Sequence, residues 1–360
     1  MEKKRMNHID LLETVAIFFV LLYHSTLYSY DFLSEYNVAH YLRYFFRTIL
    51  STCVPLFFFA NGYLLFSRDF NLCKHIIKTI KLISLTVIWG IITLLILQVI
   101  NQEYFSIIDF IKALWTWKQD WINHLWYMGA LVCIYAFFPL LKCVFDANKK
   151  IFFYFTIITA LFTFGNTLLN HVGVVCMSCL SREPNVVTTI NFFNFFNPFR
   201  GIHGYTFVYF CVGGVAYYFR DMIMEIPVKK RNVISVLGIL LSCVGLFVMG
   251  VFFSKTTGKM WEVVWYGYDT IFTFFNVIFI HFLCVNLKSD KQYFKIISSN
   301  TIGIYFIHII IISIMRPYLI QYDFLRNLPF NIVYAIMILM ACLIVCFIIK
   351  KIPVVSKLLK

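Results

Sequence analysis

The sequence predicts an all-α polytopic membrane protein: about ten transmembrane helices around a polar central cavity, in a single domain over residues 1–360. Three observations predict it. Of 360 residues, 61% are hydrophobic and 13% charged, too little polar surface to cover a soluble domain of this size. Apolar runs near the ~20 residues that a spanning helix needs recur along the chain with short polar breaks. Lys and Arg gather in alternate breaks, as they do when short loops are retained on the cytoplasmic side.

In chain order, the first run covers 9 to 28. Lys3, Lys4 and Arg5 precede it, as in a secretory signal, but the apolar stretch is long and no small-residue cleavage site follows, so it reads as a helix. Further spans are predicted over 48–66, 82–100, 124–142, 151–168, 203–219, 232–253, 268–287, 299–315 and 330–349. FIKALWTWKQDW, 110 to 121, is too short to span and amphipathic, which suits the membrane interface. Residues 169 to 200 form the longest break, more than a connection needs, and are expected to cap or line something on the outer face. No internal repeat or low-complexity tail is recognisable.

With a cytoplasmic N-terminus, the inner breaks hold 21 of the 31 Lys and Arg residues, a bias that places both termini in the cytoplasm and the chain in the cell membrane. The net charge of +14 then describes topology and contact with anionic membrane lipid, and no nucleic-acid partner is expected. Most of the eleven cysteines lie inside apolar runs and read as small packing residues. Cys176 and Cys179, in the long outer break, fit either free thiols or a pair. His75, His171 and His203 lack ligand spacing, so no metal is expected.

The first helix carries Asp10, Glu13 and His24. At ~100° per residue, the steps from Glu13 to His24 come to ~1100°, within about 20° of three full turns, so the two share a face. Asp10 falls on the same stripe. Ionisable groups in hydrocarbon are costly and persist where they face a partner or a wet cavity, so the stripe should face inward. The rise of ~1.5 Å per residue sets His24 roughly 16 Å above Glu13, in the outer half of the bilayer.

Four segments carry a resemblance. IDLLETVAIFFVLLYH ends in His24; CVPLFFFANGYLLF covers 53 to 66; HLWYMGALVCIYAFFPLL covers 124 to 141; NTIGIYFIH covers 300 to 308. In this order they resemble the acyltransferase family 3 membrane enzymes, which move acyl groups, usually acetyl, onto cell-envelope sugars. The resemblance spans nearly the whole chain. It implies that His24 is the catalytic histidine. Imidazole suits the role, because its unperturbed pKa near neutrality lets it take a proton from a sugar hydroxyl attacking a thioester. An acyl-imidazole route stands beside the general-base one.

In the family, the position eleven residues before this histidine is commonly arginine. Here it is Glu13, which joins His24 in the expected catalytic stripe but repels the phosphate or oxyanion an arginine would bind. Asn61 stands where serine is frequent and keeps a hydrogen-bonding group there.

The expected donor is acetyl-CoA, whose phosphates call for cations on the inner face. Lys74, Lys78 and Lys81, at i, i+4 and i+7, line one helical face, with ordinary positive-inside anchoring the other account of them. The expected acceptor is an envelope glycan or a lipid-linked sugar. Arg43, Arg47, Asn61, Trp126 and His308 are its candidate contacts, with interfacial snorkelling the other account of the arginines and a helix-to-helix hydrogen bond that of His308. Trp115, Trp117, Trp121, Trp126, Trp261 and Trp265 crowd the outer side, where flat rings can pack against sugars. A rival from another class is a secondary transporter or glycan exporter using Asp10, Glu13 and His24 as a polar pathway.

Overall fold

The computed structural model describes residues 5–116, 121–180, 193, 196–197, 203–287, 291–353 and 356. Lys3, Lys4, Trp117, Lys288, Lys357, Lys360 and most of the break from 181 to 200 lie outside the described residues.

Every regular element among the described residues is a helix, an all-α polytopic membrane fold. The elements used below are α1 (Asn7–His24), α2 (Val38–Leu50), α3 (Cys53–Phe66), α4 (Leu72–Asn101), α5 (Ile107–Thr116), α6 (Trp126–Ala147), α7 (Lys149–Ala160) and α8 (Asn166–Cys179). They continue with α9 (Gly204–Tyr218), α10 (Arg220–Glu225), α11 (Val228–Thr257), α12 (Ile271–Asn286), α13 (Gln292–Ser298), α14 (Thr301–Leu319) and α15 (Leu328–Lys351).

Each of the ten expected spans has a helix, but seven stretches among the described residues are long and apolar enough to cross a membrane. The difference has local causes. α1 has polar residues at both ends and two carboxyl groups in 18 residues, while α9 and α12 are 15 and 16 residues long. α2 and α3 run together as one stretch, Val38–Phe66, and α7 joins α8 through a π turn at Leu161–Gly165. Of the amphipathic segment 110–121, residues 110–116 fall in α5, a ten-residue helix with Ile107, Ile108 and Ile111 exposed, and 117–120 lie outside the described residues. Cys176 and Cys179, expected in a loop, stand in α8 as free thiols.

Side-chain amide caps set several starts. Asn71 accepts from the Lys74 amide, Asn148 from those of Lys150 and Ile151, and Asn327 from that of Phe330, with Pro329 beside it where no amide donor is needed. α11 stops at Gly258, whose φ of 65° is the left-handed C-cap conformation that glycine adopts without strain.

The contacts gather into two compact units woven from the same chain. Unit one comprises Met1–Phe19, Ser29–Arg68 and Val144–Lys295; unit two comprises Val20–Tyr28, Asp69–Cys143 and Ile296–Lys360. In unit one, α3 packs along α9, and α11 packs on α12 and α2. α11 is inside-out relative to a soluble helix: it buries Ser235, Ser242 and Gly250 and exposes Leu237, Leu241, Val244 and Val248. That polarity suits lipid, where aliphatic side chains lose nothing by exposure and small residues let helices approach. In unit two, α14 packs on α4 and α15, and Phe306 stacks on Trp89 with centroids 5.4 Å apart and planes 4° from parallel.

Candidate functional site

Three imidazoles meet in unit two. His24 closes α1, His124 sits in the 3-10 turn Asn123–Leu125 that opens α6, and His308 stands midway along α14. The His308 ring centroid is 5.1 Å from that of His24 and 5.5 Å from that of His124, the latter pair edge-on. His308 is fully buried, His124 buried and His24 half-buried.

The hydrogen bonds fix the ring chemistry. The His308 Nδ1 lies 2.6 Å from the Tyr305 carbonyl oxygen. A carbonyl only accepts, so Nδ1 carries the proton and Nε2 of the neutral ring presents a lone pair. That Nε2, like Nε2 of His124, is buried with no hydrogen-bond partner among the described residues. Buried polar atoms without partners are costly, which makes these two nitrogens places where a ligand's polar group would be stabilising. Tyr305 ties two of the elements together, its hydroxyl donating to the backbone carbonyl of His124.

The end of α1 is held by Asn331 of α15. Its Oδ1 accepts from the Leu27 amide at 3.1 Å and its Nδ2 donates to the Leu22 carbonyl at 3.4 Å, spanning the residues on either side of His24. Asn331 is fully buried. Sequence reasoning missed it, although a lone asparagine inside the apolar run 330–349 was the available signal, because polar groups at that depth need a partner. Tyr305 lies within a quoted motif and was also missed.

The other predicted residues separate into groups. His24 and His308 come together, and Trp126 is half-buried two residues beyond His124. Glu13 belongs to unit one, half-buried, one turn from Asp10. Asp10 is engaged by Arg5, whose Nε and Nη2 donate to its two carboxylate oxygens at 2.7 and 2.9 Å, and this pairing raises the Arg5 pKa. Asn61, in α3, donates to the Phe57 carbonyl at 2.9 Å. Arg43 is spent on the backbone carbonyl of Ser29 at 3.0 Å. Arg47, 2% exposed, pairs with Glu262 at 2.8 Å and lies 4.0 Å over the Tyr30 ring, whose hydroxyl donates to the other Glu262 oxygen at 2.5 Å. Lys74, Lys78 and Lys81 are exposed in the first turns of α4, and Lys78 donates to the Tyr135 hydroxyl at 3.3 Å. Among the described residues no three His, Cys, Asp or Glu side chains are grouped to hold a metal ion.

The arrangement supplies one half-buried imidazole backed by two buried ones, a set suited to moving a proton to or from a hydroxyl. A family model described as an acyltransferase domain matches residues 6–351. No curated protein and no solved structure matches the chain.

Proposed function

We propose, for a chain that belongs to acyltransferase family 3, that the group it moves is acetyl, from cytoplasmic acetyl-CoA to a hydroxyl of an envelope glycan or its lipid-linked precursor. Family and apolar helices together make it a multi-pass membrane acyltransferase. The observation that carries the finer reading is the meeting of His24, His124 and His308. They come from three of the four family-like segments, far apart in sequence, and converge on one place.

In this reading His24 is the general base. As the acceptor oxygen attacks the thioester carbonyl, the imidazole takes the hydroxyl proton; the new C–O bond forms, the C–S bond breaks, and the proton passes from the imidazolium to the departing thiolate. His308 and His124 hold the ring and offer lone pairs for the acceptor's hydroxyl. The exposed lysines of α4 fit the donor's phosphates, since each is a solvated cation within the first turns of one helix. The charge bias along the chain supports both termini lying in the cytoplasm.

The test is mass spectrometry of envelope glycans from cells with and without this gene. The expected result is loss of O-acetyl groups from one glycan in the deletion strain and their return on complementation; identical acetylation in both strains would sink the reading. A second expectation concerns Asn331. Asn331→Leu leaves the Leu27 amide without its acceptor and frees the turn that carries His24, so acetyl transfer should fall about tenfold with the donor Km little changed, because small displacements of a reacting group are that costly. Transfer at the wild-type rate by folded protein would remove Asn331 from the site.

A further inference from the structure

Unit one has a cavity of its own, about 540 Å³, within the ~300–1,000 Å³ range of small-molecule sites. It lies where α11 ends, the first turns of α8 and the start of α9 meet and the 258–270 segment crosses, so on α11 it is at the opposite end from Lys229, Lys230 and Arg231. By the charge reading above, that is the outer end.

Its lining is unusual for a lipid-embedded protein. Phe253, Trp261, Trp265 and Tyr266 give it aromatic faces, and among the described residues Val174 is its one aliphatic contributor. An acyl chain would find little of its own kind. The polar lining is rich in acceptors and, among the described residues, carries no Lys or Arg: the Asp269 carboxyl group, which accepts from Thr167 at 3.0 Å, Asn170 Oδ1 and the Tyr205 hydroxyl. The last two atoms are buried with no hydrogen-bond partner among the described residues, and Tyr205 is 5% exposed. A ligand that satisfies this set brings hydroxyl donors and an apolar ring face, and it brings no negative charge.

The walls are held in place independently of any ligand. Tyr44 donates to the Trp261 carbonyl at 2.8 Å, the Trp261 amide donates to Ser254 Oγ at 2.9 Å, and Tyr209 donates to the Tyr268 carbonyl at 2.9 Å. A preorganised wall of this kind reduces the ordering cost of binding. The arginines expected to contact the acceptor have partners within the protein: Arg47 pairs with Glu262 and Arg43 donates to the Ser29 carbonyl.

We propose that this cavity binds an uncharged saccharide, its ring faces against Trp261 and Trp265 and its hydroxyls on Asp269, Asn170 and Tyr205. The assignment rests on the transfer reading only where it makes that saccharide the acceptor; the binding itself does not.

The test is calorimetric titration of the full chain in nanodiscs with maltotriose, triacetylchitotriose and trigalacturonate, without any acyl donor. Saturable binding of at least one neutral trisaccharide is expected, at least tenfold tighter than trigalacturonate. Tyr205→Phe removes a hydroxyl that has no partner among the described residues, so its melting temperature should hold while binding weakens about three- to tenfold, the worth of one hydrogen bond. Asp269→Asn should weaken it at least as much. Binding of neither neutral sugar, tighter binding of trigalacturonate, or affinities unmoved by both substitutions would each overturn the proposal. None of these outcomes bears on whether acetyl groups are transferred, which the glycan comparison decides separately.

Discussion

Replacing His24 by alanine is expected to lower acetyl transfer by about 10²- to 10⁴-fold, the range a positioned general base contributes. Release of free thiol from acetyl-CoA by the purified protein with its acceptor present measures it directly. The protein should remain folded, since His24 is half-buried at the last residue of α1 and the turn beyond it is secured by Asn331 through backbone atoms of Leu22 and Leu27 rather than through the imidazole. His308→Asn should cost less, about tenfold. His308 touches the His24 ring and spends its Nδ1 on Tyr305, so its removal loosens the base without deleting it. If His24→Ala kept full transfer while remaining folded, the proton would have to be taken by another group, and the cluster would be structural. An intermediate result is informative through its pH profile. A rate that no longer falls as pH drops through the imidazole range identifies His24 as the group whose neutral form is needed.

Much of this was legible in the sequence, and the parts that were not have identifiable causes. Hydropathy located a helix for every predicted span, because lipid rewards the same apolar composition wherever it occurs. It misplaced ends where a helix leaves the apolar run. α4 begins at Leu72, ten residues before the predicted span, since Lys74, Lys78 and Lys81 are read as loop by hydropathy although backbone hydrogen bonding continues through them. α8 likewise reaches Cys179 through a π turn that no apolar count reveals. The four family-like segments marked His24, His124 and His308 one at a time; that three of them share one cluster is a tertiary fact. Helical periodicity set Asp10, Glu13 and His24 on one face of α1, yet it could not say that Arg5 would bind Asp10 or that α1 divides between two units after Phe19. Asp269 escaped notice because it sits at the border of an apolar run, where a single carboxyl group is expected anyway.

The largest structural effect should come from Gly62. A Cβ built on it would stand 1.9 Å from the Phe210 carbonyl oxygen, and one on Gly213 would stand 2.1 Å from the Phe59 carbonyl oxygen and 2.7 Å from the Tyr63 amide nitrogen. α3 and α9 therefore cross with backbone against backbone, each helix using its own glycine as the notch for the other. Neither obstacle is a side chain that can rotate away. Gly62→Ala must push the helices apart by an ångström or more, opening the packing of Phe66 on Phe210 and Phe152, whose ring centroids lie 5.5 and 4.9 Å from its own. The cost should be about 3 kcal/mol or more, at the top of the overpacking range, outweighing the ~1 kcal/mol that alanine gains over glycine in a helix. Gly129 provides the control: it lies in α6, and a Cβ there meets nothing within 4 Å. Gly129→Ala should leave the melting temperature in detergent level or slightly higher, whereas Gly62→Ala should lower it by about 5–10 °C. Equal melting temperatures for the two variants would mean that α3 and α9 are not packed this closely. A fall confined to Gly62→Ala, with acetyl transfer lost only as folded protein is lost, would place the crossing in the scaffold and leave the imidazole cluster of unit two as the seat of the chemistry.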